Sequence, residues 1–124
     1  MSFLLLSVSQ VLVIHDAILA PNELQGMAGD KSLDGALARV ENRLSYGLID
    51  DVYALSAAYA TAISQAHCFN DGNKRTSFQV LDIVLHLNGI QVDWNTEVVG
   101  QKIIQLSQSL IDEKAFSDWL RQVD

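Results

Sequence analysis

The segment HCFNDGNKRTSFQVLDIVLHLNG, residues 67–89, is made of two unlike halves. Its first ten residues crowd His67, Asn70, Asp71, Asn73, Lys74 and Arg75 around a single glycine, Gly72. In the second half Phe78, Val80, Leu81, Ile83, Val84, Leu85 and Leu87 point in nearly every direction around a helix, the pattern of an enclosed element rather than a surface one. Asn88-Gly89 supplies the left-handed ending that such a helix takes. A polar loop therefore feeds directly into a buried helix, and the rest of the chain has to supply the cover.

Helical periodicity continues on both sides. Upstream, Val52, Leu55, Tyr59, Ala62, Ile63 and Ala66 form one stripe of an alanine-rich helix that runs into the loop, behind Asp50 and Asp51, acids that favour a helix start. Nearer the N-terminus, Ser7-Val8-Ser9-Gln10 has the capping-box spacing. Val8, Val11, Leu12, His15, Ile18 and Leu19 share a face behind it, and Pro21, the one proline, ends that helix. A loop with Gly26 and Gly29 leads to Ser32, which caps a helix marked by Leu33, Leu37, Val40 and Leu44. Downstream, Val99, Ile103, Leu106 and Leu110 predict a fifth helix, and Phe116, Trp119, Leu120 and Val123 a sixth. Tyr46–Ile49 and Ile90–Asp93 are candidates for short extended pieces. The fold class is all-α: residues 1–124 as a single domain, about six helices around a buried central helix, with room for one or two very short strands.

Composition narrows the function. A net charge of −7 with eight scattered basic residues argues against direct nucleic-acid binding, which needs a basic face. The single cysteine, Cys68, excludes an internal disulfide and fits a reducing compartment, so the cytoplasm is the expected location. The opening MSFLLLSV has no Lys or Arg ahead of its apolar run, and Ser7, Ser9 and Gln10 interrupt it, so it reads as a buried first segment and not as a signal peptide. No window approaches the ~18 consecutive apolar residues of a membrane span.

The 67–76 cluster breaks a local rule. Asn73 is placed at or near the N-cap of the buried helix, with Lys74, Arg75 and Thr76 in its first turn. A helix start already carries partial positive charge, so two adjacent cations there call for an anion. Asp71 would repel a phosphate unless Mg2+ stands between them, and His67 is the side chain whose ordinary pKa suits proton transfer near neutrality. Base, metal carboxylate and anion cradle together describe phosphoryl or nucleotidyl transfer to a hydroxyl. The plain alternative is a solvated, well-capped loop with Lys74 and Arg75 snorkelling. Zinc at His67 and Cys68 lacks the further ligands that a structural site needs. His15 reads as a hydrogen-bonded core histidine, and His86 as lying on the polar side of its helix.

His67-Cys68-Phe69-Asn70-Asp71-Gly72-Asn73-Lys74-Arg75 resembles the signature of the Fic/Doc superfamily, and Lys74 matches its Doc branch, the death-on-curing toxins of toxin-antitoxin modules. Ile14-His15-Asp16 and Ala36-Leu37-Ala38-Arg39 are similar to the family's upstream pattern. The resemblance implies that His67 is the general base for a target hydroxyl, that Asp71 holds Mg2+, and that Gly72, Asn73, Lys74 and Arg75 bind the phosphates of ATP, with Phe69 as the aromatic anchor of the loop. Adenylylating Fic enzymes have Gly at the Lys74 position and a second arginine where this chain has Phe78. The resemblance therefore implies transfer of the γ-phosphate, a protein kinase whose family target is a threonine of elongation factor Tu. The alternatives are an adenylyltransferase and a catalytically silent partner-binding module. Cys68 stands where proline is common. No internal inhibitory helix is evident, since the nearest match, Glu41-Asn42, has Leu37 where Ser or Thr is required; inhibition by an antitoxin bound in a surface groove is the implied arrangement. The Tyr46–Ile49 connection corresponds to the flap that docks a target in similar proteins.

Overall fold

The computed structural model describes residues 3–23, 33–66 and 72–123. Six helices follow in order: α1 (Val8–Ile18), α2 (Leu33–Ser45), α3 (Val52–Ala66), α4 (Asn73–Leu87), α5 (Thr96–Ser107) and α6 (Glu113–Val123). The all-α expectation is met.

Each start has a chemical cause. The capping box of α1 is closed on both sides: Gln10 N–H donates to Ser7 Oγ (3.2 Å), and Ser7 N–H donates to Gln10 Oε1 (2.8 Å). The helix stops at Ile18 and its C-cap, Leu19, is already extended, two residues before Pro21. Asp51 accepts the Ala54 N–H ahead of α3, and Asn95 accepts from Glu97 and Val98 at the start of α5. At the end of α4, Gly89 (φ 86°) reverses the chain while Ile90 N–H returns to Leu85 O (2.9 Å). The Ser32 cap, Gly26 and Gly29 lie outside the described residues.

The core is two apolar clusters that share a wall. One joins Leu6, Val11, Leu33, Leu37 and Val40 to one side of α3 and α4; the other joins Val99, Ile103, Phe116 and Leu120 to their opposite side. Ala57, Ala58 and Ala60 are fully buried and let the neighbouring helices approach α3 closely. α3 packs against α2, α4, α5 and α6, whereas α4 packs against α1, α3 and α5. The enclosure read from the residues of α4 is thus shared, and the larger share falls to α3. Leu87, at the end of α4, is 42% exposed.

Three local features differ from the reading of the sequence. Among the described residues there is no strand: residues 90–95 are irregular, and with no neighbouring strand to pair with they lay Ile90, Val92 and Trp94 onto the second cluster. Leu110 lies beyond α5 and is 69% exposed, because Ser109 turns through a positive φ of 60°. In the first segment Leu6 is buried but Leu4 is 59% exposed. That segment is held by side chains: the Tyr59 hydroxyl both accepts from Leu6 N–H and donates to Leu6 O (3.1 Å each), and the Asn88 amide bridges the Leu4 N–H and C=O. No helix of the described residues is long and apolar enough to cross a membrane.

Candidate active site

α3 delivers the chain at Ala66 and α4 takes it up at Asn73, so residues 67–72 bridge two helices that pack along each other. Of the residues singled out in the sequence, His67, Cys68, Phe69 and Asp71 lie outside the described residues. Gly72, Asn73, Lys74 and Arg75 are described, and they sit together at the start of α4.

Gly72, not Asn73, is the N-cap. Its backbone is left-handed (φ 83°, ψ 14°), its carbonyl accepts Thr76 N–H (2.9 Å), and as a glycine it offers no capping side chain of its own. Asn73 is the first helical residue. The sequence pointed to Asn73 because Asn is a common cap, but a left-handed cap position selects glycine. The consequence is chemical: a glycine cap brings no side-chain acceptor of its own to the first turn, and the positive end of the helix dipole stands beside Lys74 and Arg75. A Cβ added to Gly72 would lie 3.1 Å from Leu19 Cδ2 and 3.5 Å from both Cδ2 and Nε2 of His15. The end of α1 is therefore the wall against which Gly72 turns.

His15 is buried (1% exposed), with its Nδ1 3.2 Å from Asp16 Oδ1, which agrees with the reading of a hydrogen-bonded core histidine. Its place against Gly72 was not legible, because the two residues are 57 apart in the chain and no spacing rule connects them. The same holds for Glu23. Arg75 is ion-paired through Nη2 to Glu23 Oε2, and its Nη1 reaches the Ile18 carbonyl at 3.4 Å. Glu23 is fixed in turn, its Oε1 accepting Ala20 N–H at 2.8 Å. The hydrogen bond from Arg75 and then that from Ala20 N–H hold the Glu23 carboxyl below its ordinary pKa. Lys74 is exposed. His86, at the other end of α4, is exposed as its sequence position implied.

Beside the two cations a groove of about 520 Å³ opens between α4 and α5, lined by Lys74, Arg75, Phe78, Gly100, Gln101 and Ile104 among others. Nothing would obstruct a Cβ at Gly100, so the absent side chain leaves room there. Phe78 contributes an aromatic ring, tilted against Trp94 with centroids 6.4 Å apart, where a second arginine would have added charge. Size and an apolar lining with a few polar groups suit a small organic ligand. A smaller cavity of about 280 Å³ between α2 and α3 also has arginines at its edge, but Arg43 there is already doubly hydrogen-bonded to Glu113.

The described residues fit a polyphosphate: a helix start at a left-handed glycine, Lys74, Arg75 and an adjoining groove converge on one place. Among them no group of three or more His, Cys, Asp or Glu side chains is placed to hold a metal ion. The buried hydroxyls of Ser64 and Thr76, on the two helices that the loop joins, have no hydrogen-bond partner among the described residues.

The sequence matches the model of the Fic/DOC family over residues 5–85, a stretch that runs from the first segment through α1, the loop and most of α4. It is also 29% identical over 119 residues to "Protein kinase doc" of Escherichia phage P1, covering 95% of this chain and 94% of that protein. The matched region holds the start of α4 with Lys74 and Arg75, and the helices before it, so the chain belongs to the Fic/DOC family, on the Doc side of it.

Proposed function

We propose that the chain is a Doc-like toxin: a kinase that moves the γ-phosphate of ATP to a Ser or Thr hydroxyl of a target protein of the translation machinery, by resemblance elongation factor Tu, and so arrests translation in the cytoplasm. The observation that carries this reading is the pair Lys74-Arg75 in the first turn of a helix that starts from a left-handed glycine, beside the groove between α4 and α5. Glu23 offsets one of the two cations, and the charge of Lys74 at the positive end of the helix still favours an anion there. The name of the phage P1 relative supports the kinase, and so do Lys74 in place of glycine and Phe78 in place of a second arginine.

In this reading the target hydroxyl oxygen forms a bond to the γ-phosphorus, the bond from that phosphorus to the bridging oxygen breaks, ADP leaves, and the hydroxyl proton passes to His67. Gly72, Asn73, Lys74 and Arg75 hold the phosphates, and Phe69 anchors the loop. Asp71 would hold Mg2+, which supplies positive charge to the phosphate oxygens when bound. The groove between α4 and α5 has room for the nucleoside. Inhibition comes in trans, from an antitoxin segment bound in a surface groove, and Tyr46 and Leu48, both strongly exposed, belong to the flap that receives the target.

The test is incubation of antitoxin-free protein with Mg2+, a bacterial lysate and ATP labelled at either the α- or the γ-phosphate. Transfer of γ label alone is expected, and His67→Ala should lower it at least about a hundredfold with an unchanged melting curve. Transfer of α label assigns adenylylation instead, and absence of both overturns the enzyme reading in favour of a binding module.

A further inference from the structure

Glu23 occupies a position that the phosphate reading leaves unexplained. Its carboxylate is pinned at both oxygens, by Ala20 N–H at 2.8 Å and by the Arg75 guanidinium. Glu23 N–H closes the same turn by donating to Ala20 O (3.0 Å), and Pro21 lies within that turn. The carboxylate is thus held in place by local backbone, independently of any ligand. It draws the guanidinium toward the end of α1, where Arg75 also meets the Ile18 carbonyl at 3.4 Å. The start of α4 carries Lys74 and Arg75, and Glu23 offsets one of the two charges.

We infer that Glu23 is a resident competitor for Arg75, a built-in carboxylate that a bound phosphate has to share or displace, and that it sets the affinity of the site for phosphates. The inference rests on the phosphate reading of Lys74 and Arg75. A phosphate reaching Arg75 comes within a few ångströms of a fixed negative charge, so the carboxylate weakens binding twice: it engages the donor, and it repels the ligand. The Arg75 side chain is 49% exposed, and water screens the pair. The effect is therefore moderate, a factor of about two to five in affinity. Such a device moderates nucleotide occupancy without abolishing it, and it arises from the segment after α1, outside the loop that carries the motif.

Calorimetric titration of the wild type, Glu23→Gln, Arg75→Gln and the double variant, with Mg2+-ATP and separately with metal-free inorganic tripolyphosphate, tests this. The glutamine keeps the acceptor for Ala20 N–H and removes the charge. Glu23→Gln is expected to bind both probes about two- to five-fold more tightly than the wild type at low ionic strength. The gap should close near 1 M salt, where exposed charges are screened within about 3 Å. Arg75→Gln should bind more weakly, and adding Glu23→Gln to it should recover little, because the competition needs Arg75. Glu23→Asp, which keeps the charge but draws it back by one methylene, should fall between wild type and Glu23→Gln and serves if Glu23→Gln does not fold. Equal or weaker binding by a folded Glu23→Gln, with Arg75→Gln impaired, makes Glu23 a structural brace and overturns this inference alone. If no variant binds either probe, the phosphate reading itself fails and takes the inference with it.

Discussion

At Gly72 the chain turns through φ 83° within contact distance of Leu19 and His15, and the start of α4 depends on that turn. An L-residue in the left-handed region costs about 1–2 kcal/mol. The nearest obstacle, Leu19 Cδ2, is the far end of a flexible side chain that can give way. Gly72→Ala is therefore expected to lower stability by about 1–2 kcal/mol in urea denaturation without unfolding the protein. A loss larger than that would show that the His15 and Leu19 wall is rigid. Lys74 and Arg75 were legible in the sequence because they contradict the preference of a helix start. Glu23 and His15 were not: a surface acid after a proline and a histidine on an apolar face both have ordinary explanations until the fold brings them to residues 72 and 75.

Among the elements, α3 carries the most obligations. Its apolar stripe and alanines were plain in the sequence, but its use of Tyr59 was not. The Tyr59 ring is buried at 1% exposure and its hydroxyl supplies both partners of Leu6, the buried residue of the segment before α1. Tyr59→Phe leaves the Leu6 N–H and C=O unpaired, which predicts a loss of about 1–3 kcal/mol in equilibrium unfolding. The first segment should then loosen ahead of the rest, seen as faster amide exchange at Leu6 with α3 still protected. The short strands considered from sequence did not form for a related reason. An isolated extended run has no ladder to join, and residues 90–95 are held by the Ile90 N–H to Leu85 carbonyl bond, the Asn95 cap and apolar side chains laid on the second cluster.

Across the whole molecule, ion pairs join points far apart in the chain. Arg121 near the end of α6 donates to both oxygens of Asp51 ahead of α3 (3.0 Å each), and Arg75 holds Glu23. The Arg121 hydrogen bond depresses the Asp51 pKa, and Lys114 does the same at Asp118. For carboxyls depressed in the folded state, the stabilisation is fully present above their unfolded pKa of about 4 and is lost as pH falls through the lower folded values. Denaturation midpoints should therefore be insensitive to these groups at neutral pH and fall below about pH 4. Asp51→Asn should flatten that acid limb and, since both the ion pair and the helix cap are weakened, cost about 1 kcal/mol at pH 7. An unchanged acid limb in Asp51→Asn would remove Asp51 from the list of linked groups.

The sequence alone determined the number and order of the helices, because periodicity, caps and the Asn88-Gly89 ending are local properties. It also determined the chemistry on offer, because two cations, a glycine, an acid and a histidine within ten residues are a local anomaly. Tertiary structure decided which helix is most enclosed, that Gly72 and not Asn73 caps α4, and that Glu23 and His15 come to lie against Arg75 and Gly72. Those outcomes depend on contacts between residues about fifty apart, where burial and geometry, not spacing along the chain, select the partner.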